Sequence, residues 1–322
     1  MVITMKADAI SQLSGDILRN ISRVIYGKEE KLQLILCALL CGGHVLLDDI
    51  PGSGKTSLAH ALAKSISFKE DAFRRIQFTP DLLPSDLTGI HYYNQKENAF
   101  IFRPGPIFAH VVIADEINRT TPRTQSALLE CMEEKQTTVD GETFLLPNPF
   151  WIIATQNPIE SQGTFPLPEA QVDRFFMRLT LGYPAKEAEK EILDRHMITS
   201  PLINLQPVCT EEMLLDAQRS VREIYLSDAV KDYIIRIAGA TRESDRLRLG
   251  VSPRASLALA HASQAWAAMH GRDHVLPDDI KALAVPVLAH RVVSRSQNAV
   301  RLAQSTENVI EYILSTVAAP IS

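Results

Sequence analysis

The chain of 322 residues contains no unbroken apolar run of 18 residues, so no membrane-spanning helix and no membrane insertion are expected. Cysteine is scarce. Cys37, Cys41, Cys131 and Cys209 form no Cys-x-x-Cys pair, and no His-Glu-x-x-His or Cys/His cluster accompanies them. A disulfide framework and a structural zinc site are therefore not expected, and the thiols read as buried and reduced in a cytoplasmic protein. His270 and His274 have helical metal-ligand spacing, but Gly271 and Pro277 place them in a loop. There is no excess of positive charge either. The formal net charge is −5, and acidic residues outnumber basic ones in both 1–185 and 186–322. Nucleic acid is not expected as a partner on that balance. Internal repeats and low-complexity segments are absent. What is present is ordinary globular composition, 46% hydrophobic and 22% charged. At roughly 150 residues per domain, the length suggests two domains.

Hydrophobic spacing divides the chain. Ile10, Leu13, Ile17, Ile21 and Val24 recur at steps of three and four, which predicts a helix over 8–25. A second helix over 29–41 stops at Gly42-Gly43. Short apolar runs at 44–47, 109–114 and 150–155 predict buried strands. Helices over 55–67 and 124–134 separate them, the pattern of a parallel sheet covered on both faces. Residues 91–103 and 137–147 fit neither period and read as inserted β-hairpins, the second carrying Asp140-Gly141 at its turn. After Tyr183-Pro184 only helical patterns follow, near 186–197, 209–219, 228–241, 253–269, 277–290 and 303–317. The expected organisation is an α/β nucleotide-binding domain over 1–185 and an all-α lid over 186–322.

Residues 49–56, Asp-Ile-Pro-Gly-Ser-Gly-Lys-Thr, carry the tail of the phosphate-binding pattern G-x-x-x-x-G-K-[ST], with Asp49 in place of its first glycine. Gly52 and Gly54 let the backbone curl so that its N–H groups face a phosphate, and the following helix adds its positive end. Lys55 can reach the β- and γ-phosphates and the Thr56 hydroxyl can ligate Mg²⁺. Pro51, Ser53 and Ser57 belong to the same nucleotide-binding stretch. Ser53 lacks the flanks of a nucleophile elbow. If the first position needs a left-handed turn, Asp is among the residues that tolerate it, although a carboxylate there stands to weaken anion affinity.

The run Val111-Val-Ile-Ala ends in Asp115-Glu116, at the strand edge where open α/β sheets bind ligands. Asp115 is placed to hold Mg²⁺ with Thr56, and Glu116 to activate water for attack on the γ-phosphate. Such a pair is common by chance. It becomes a strong signal downstream of a phosphate loop.

The ordered motifs extend further. They include Ile25-Tyr26-Gly27-Lys28, Phe78–Asp86, Arg103–Phe108, Ala114–Arg119, Thr124–Glu130 and Val139–Gly141. Ala154–Pro158, Leu167–Phe175 and Ser252–Ala255 complete the set. Over nearly its whole length the chain resembles the MoxR family of AAA+ ATPases. The resemblance implies a P-loop AAA+ core with two inserted hairpins, a helical lid, and ATP with Mg²⁺ as cofactors. It implies a homo-oligomeric ring, hexameric in such families. Asn157 is similar to the residue that positions the attacking water. Arg174 matches the arginine finger that reaches the neighbouring subunit's γ-phosphate. Arg254 matches the lid arginine over the same subunit's nucleotide, and Ile25, Tyr26 and Gly27 resemble the adenine-side segment. The implied activity is ATP-driven, chaperone-like remodelling of a protein client with a von Willebrand A-domain partner. A magnesium-chelatase-like motor subunit is the alternative. A binding module without turnover fits poorly beside Glu116, Asn157 and Arg174 together, and a DNA-acting motor fits poorly with the acidic balance.

Overall fold

The computed structural model describes residues 5–50, 52–70, 72–157, 163–196, 201–295 and 299–320. Its centre is a five-stranded parallel sheet. The strands are β1 (Val45–Asp48), β2 (Phe73–Gln77), β3 (Val111–Asp115), β4 (Trp151–Gln156) and β5 (Met177–Leu179), in the spatial order β5-β1-β4-β3-β2. β1, β3 and β4 are almost wholly buried, because helices cover both faces and strands in that position need apolar residues at every site. The apolar runs thus marked these three strands. They did not mark β2, whose sequence Phe-Arg-Arg-Ile-Gln is polar because it is an edge strand with much of its length exposed. Nor did they mark β5, which is only three residues long.

The first helix covers Ala7–Ile21 and buries Ile10, Leu13, Ile17 and Ile21. Val24 and Ile25 extend the apolar spacing but lie in the turn beyond it, closed by Val24 and Ile25 N–H bonds to the Ile21 carbonyl. The helix therefore ends a turn earlier than its periodicity suggests. Both hairpins are present, Gly89–Asn94 with Ala99–Pro104 and Gln136–Val139 with Glu142–Leu145. Asp140 and Gly141 both take positive φ, at 51° and 85°, as a two-residue hairpin turn requires. The hairpins lean together, with the rings of Phe102 and Phe144 stacked at 3.8 Å.

Beyond Pro184 the chain is mostly helical but not purely so. Cys209–Thr210 adds a parallel strand to Ile66–Ser67, and Leu247–Leu249 pairs antiparallel with Val293–Ser294. The strand at Cys209–Thr210 displaces the start of the next helix to Glu211, where the Thr210 hydroxyl caps it. The long helix Pro253–Met269 lies against both Ala7–Ile21 and Pro277–Leu288. Its many alanines, among them Ala255, Ala262 and Ala265, are buried in that contact. One continuous apolar core runs from the first helix through one face of the sheet into these later helices. Among the described residues no helix is long and apolar enough to cross a membrane.

Candidate nucleotide site

β1 ends at Asp48, and the chain then curls into the helix Lys55–Lys64. Gly52 and Gly54 hold φ of 83° and 89°, and among the described residues nothing lies within 4 Å of where a Cβ on Gly52 would stand. The loop is therefore a backbone concavity opening on the first turn of a helix, whose leading N–H groups have no intrahelical acceptor. Lys55 Nζ donates to the Ile50 carbonyl at 2.6 Å and to Ser53 Oγ at 3.3 Å, which aligns the ammonium along the loop. Gly52, Gly54, Lys55, Thr56 and Ser57 form one wall of a cavity of about 390 Å³. Pro51 lies outside the described residues.

The opposite wall comes from the C-terminal ends of β2, β3 and β4. Asp115, Glu116 and Asn157 all line the same cavity. Asp115 is fixed from two sides, accepting from Thr155 Oγ1 at 2.6 Å and from Arg75 Nη2 at 2.7 Å. Glu116 stands in the left-handed region at φ 58°, a conformation that costs about 1–2 kcal/mol for a residue with a Cβ. Its N–H is held by Thr155 Oγ1 at 2.9 Å, and its Oε2 accepts from Gln77 Nε2 at 2.8 Å. Backbone strain at a residue so held is a mark of a working site. The motifs assign no role to Arg75, Gln77 or Thr155, although Thr155 lies within Ala154–Pro158. The signal for the first two was alternation: residues 73, 75 and 77 of a strand share one face, and β2 presents its polar face to the carboxylates.

Asp49 needs no left-handed turn. It is absent from the residues with positive φ and is only 3% exposed. Its carboxylate accepts from the N–H groups of Leu181 at 3.0 Å, Gly182 at 3.2 Å and Ile50 at 3.1 Å. On the other side of that segment, Lys28 Nζ donates to the carbonyls of Leu181, Gly182 and Tyr183 at 2.5, 2.8 and 2.7 Å. Burial lowers the Lys28 ammonium from its ordinary pKa, and Asp49 opposes that shift. Residue 49 is therefore an anchor between the phosphate loop and the strand exit at 181–183.

Ile25 approaches the loop: its Cδ1 lies 3.8 Å from a Cβ built on Gly54. Gly27, at φ 65°, faces Ala188 so closely that a Cβ there would stand 2.8 Å from the alanine methyl. Tyr26 is buried and its hydroxyl donates to the Arg23 carbonyl. Ile25 and Gly27 thus sit between the phosphate loop and helix Lys186–His196, while the Tyr26 hydroxyl is engaged within its own turn.

Arg174 and Arg254 are brought together, and both lie away from this cavity. Arg174 Nε is 3.0 Å from Glu133 Oε2, and Arg254 Nη1 is 2.8 Å from Glu133 Oε1. A second cavity, about 330 Å³, is lined by both arginines together with Gly42, Gly43 and His44. Those three residues precede β1, whereas the phosphate loop follows it, and four strand residues span about 13 Å. The resemblance placed Arg254 over its own subunit's nucleotide. The fold places it instead with Arg174, at the end of the sheet opposite the phosphate loop.

Fold and cavity together define the architecture of a P-loop nucleotide-binding protein. The family model for the ATPase family associated with various cellular activities (AAA) matches residues 44–177, and that for the AAA lid domain matches residues 239–313. The chain is 40% identical over 309 residues to Chaperone MoxR1 of Mycobacterium tuberculosis, spanning 93% of this chain and 80% of that protein. It is 48% identical over 309 residues to YeaC of Bacillus subtilis, across 96% and 95% of the two chains. A crystal structure from Cytophaga hutchinsonii superposes with a TM-score of 0.89 at 38% identity, covering 98% of this chain and 97% of that one. The chain belongs to the MoxR family of AAA+ ATPases, and its activity is ATP hydrolysis.

Proposed function

We propose that the chain acts as one subunit of a closed, hexameric, cytoplasmic ring, in which ATP held by one subunit is cut with help from the arginines of the next. The observation that carries this reading is the separation of the two halves of the machinery. The phosphate loop, Asp115 and Glu116 lie at the C-terminal end of the parallel sheet, while Arg174 and Arg254 lie near its N-terminal end. Neither half reaches the other within one chain. A head-to-tail contact brings the N-terminal end of one copy to the C-terminal end of the next, and such a heterologous contact closes into a ring when its rotation permits.

Within that site Gly52, Gly54 and Lys55 bind the phosphates, and Ile25, Tyr26 and Gly27 stand on the adenine side. Glu116 takes the proton of the attacking water, and Asn157 orients that water. Thr56 and Asp115 offer the hard oxygen donors that fit Mg²⁺. Among the described residues no group of three or more His, Cys, Asp or Glu is arranged so that it could hold a metal ion. When bound, Mg²⁺ supplies positive charge against the charge that develops on the phosphate oxygens. Arg174 and Arg254, aligned on Glu133, add guanidinium charge from the neighbouring subunit. The paired hairpins, with exposed Tyr93 and Phe100 at 49% and 73%, pass the motion to a protein client. A von Willebrand A-domain protein is the proposed partner.

The test is mixing. Arg174→Ala rings should bind ATP with wild-type affinity and lose turnover. Lys55→Ala rings, binding ATP about 10- to 100-fold more weakly, should not turn it over. Co-assembled in equal amounts, the two should recover part of the wild-type rate, because Lys55→Ala subunits lend intact arginines to Arg174→Ala neighbours. Absence of recovery in demonstrably mixed rings refutes the reading.

A further inference from the structure

The lid contributes a second arginine to this edge of the molecule, in a different environment. Arg291 closes the short turn Ala289–Arg291 after helix Pro277–Leu288, and its side chain is 3% exposed. A buried guanidinium is costly unless it is well partnered. Apart from the adjoining His290 ring, whose Nε2 lies 3.3 Å from Arg291 Nε, its partners are on the strip that carries Arg174. Arg291 Nη2 donates to the Phe175 carbonyl at 2.8 Å and lies 3.5 Å from that of Phe176, and Nε lies 3.3 Å from Asp173 Oδ1. The adjoining His290 donates from Nε2 to the same Phe175 carbonyl at 2.9 Å. The residues immediately before and after Arg174 are thus held by two consecutive lid side chains.

The strip is fixed on its other side by the core. Phe176 N–H donates to the His44 carbonyl at 2.8 Å, and the Phe176 ring lies where any Cβ on Gly43 would stand. Arg174 therefore projects from a four-residue span pinned between sheet and lid. Burial pulls Arg291 down to about 10 and keeps His290 well below the ordinary histidine value, so the pair presents one cation and one neutral ring to the strip. Arg291 Nη1 has no hydrogen-bond partner among the described residues, so the contact is not explained by satisfying the arginine alone.

We propose that Arg291, with His290, is a positioning residue for ATP hydrolysis: it ties the Asp173 carboxylate before Arg174 and the Phe175 and Phe176 carbonyls after it to the lid, so that lid position sets where the finger points in the neighbouring site. This rests on the reading of Arg174 as acting on the next subunit's nucleotide. A finger is worth about 10³–10⁵ in rate, and displacing an aligned group by an ångström costs on the order of 10²-fold.

The test uses full-length Arg291→Met, which keeps the volume and removes the donors, and Arg291→Lys, which keeps a donor and the charge. Turnover should fall about 10²-fold in Arg291→Met and less in Arg291→Lys, with ATP affinity within about twofold of wild type in both. Each variant should regain turnover when co-assembled with Lys55→Ala subunits, whose Arg174 and Arg291 are intact. A packing defect in the variant subunit would not be relieved by its neighbour. Should Arg291→Met fail to fold, Arg291→Lys alone carries the measurement. Wild-type turnover in either folded variant overturns the proposal. So does a loss that Lys55→Ala subunits do not restore while they do restore Arg174→Ala. If neither is restored, the shared-site reading itself falls and the proposal falls with it.

Discussion

Replacing Asp49 with glycine restores the first residue of the phosphate-loop pattern, and the motif alone expects the change to be harmless or to favour the bound anion. The structure leads to the opposite expectation. Asp49 accepts three backbone N–H groups, and the bond from Leu181 is buried. An orphaned buried donor costs about 1–3 kcal/mol, and the two half-buried donors, which water can reach, about 0.5–1 kcal/mol each. Lys28 loses the carboxylate that offsets part of its burial, and glycine adds unfolded-state entropy of about 0.5–1 kcal/mol. Asp49→Gly should therefore destabilise the chain by about 2.5–6 kcal/mol. Urea unfolding followed by tryptophan fluorescence, with a check that the m-value is unchanged, measures this directly. Asp49→Asn should be little better, since its amide turns a donor towards donors. A shift below about 0.5 kcal/mol for Asp49→Gly would refute the anchoring role.

Glu116→Gln should keep ATP affinity and lose turnover by about 10²–10⁴-fold, read by phosphate release against nucleotide-binding titration; undiminished turnover removes Glu116 from the role of base. Lys55→Ala should weaken ATP binding by about 10- to 100-fold, the worth of one charge-assisted hydrogen bond, in a fluorescent-nucleotide titration. His44 is buried and its pKa falls from 6.5 to about 4. As pH drops, the unfolded chain takes this proton first, so stability present above about pH 6.5 is lost on the way to about pH 4, with about 2 kcal/mol gone by about pH 5. NMR of the His44 ring should show no titration above about pH 5, and a midpoint near 6.5 would contradict the burial argument. Phe102→Ala and Phe144→Ala should be non-additive by about 0.5–1.5 kcal/mol in a double-mutant cycle, and additivity would mean that the hairpins do not support each other.

How legible this was in the sequence depended on burial. β1, β3 and β4 are enclosed by helices, so their apolar runs were readable without ambiguity. β2 is polar because it is an edge, and its Arg75 and Gln77 look like surface residues until β3 is laid beside them. The phosphate loop and Asp115-Glu116 are contiguous in sequence, and local spacing found them. The Glu133 bridge between Arg174 and Arg254, and the hold of Arg291 on Phe175, join residues far apart in the chain. No period or spacing encodes such contacts. Asp49 is the instructive middle case. Its position was conspicuous, but its partners at 181–182 follow the neighbouring strand β5, 132 residues further along the chain, so its role could not be read locally.

A sheet whose strands all run one way has chemically unlike ends, and this gives any head-to-tail assembly a direction. In the proposed ring every subunit lends its arginines at one end and borrows a neighbour's at the other. An open arc therefore always leaves one nucleotide without a lender and one arginine pair without a recipient, so its complete sites number one fewer than its members. Only closure removes that deficit, and the step to a closed circle completes one more site than the added subunit alone would.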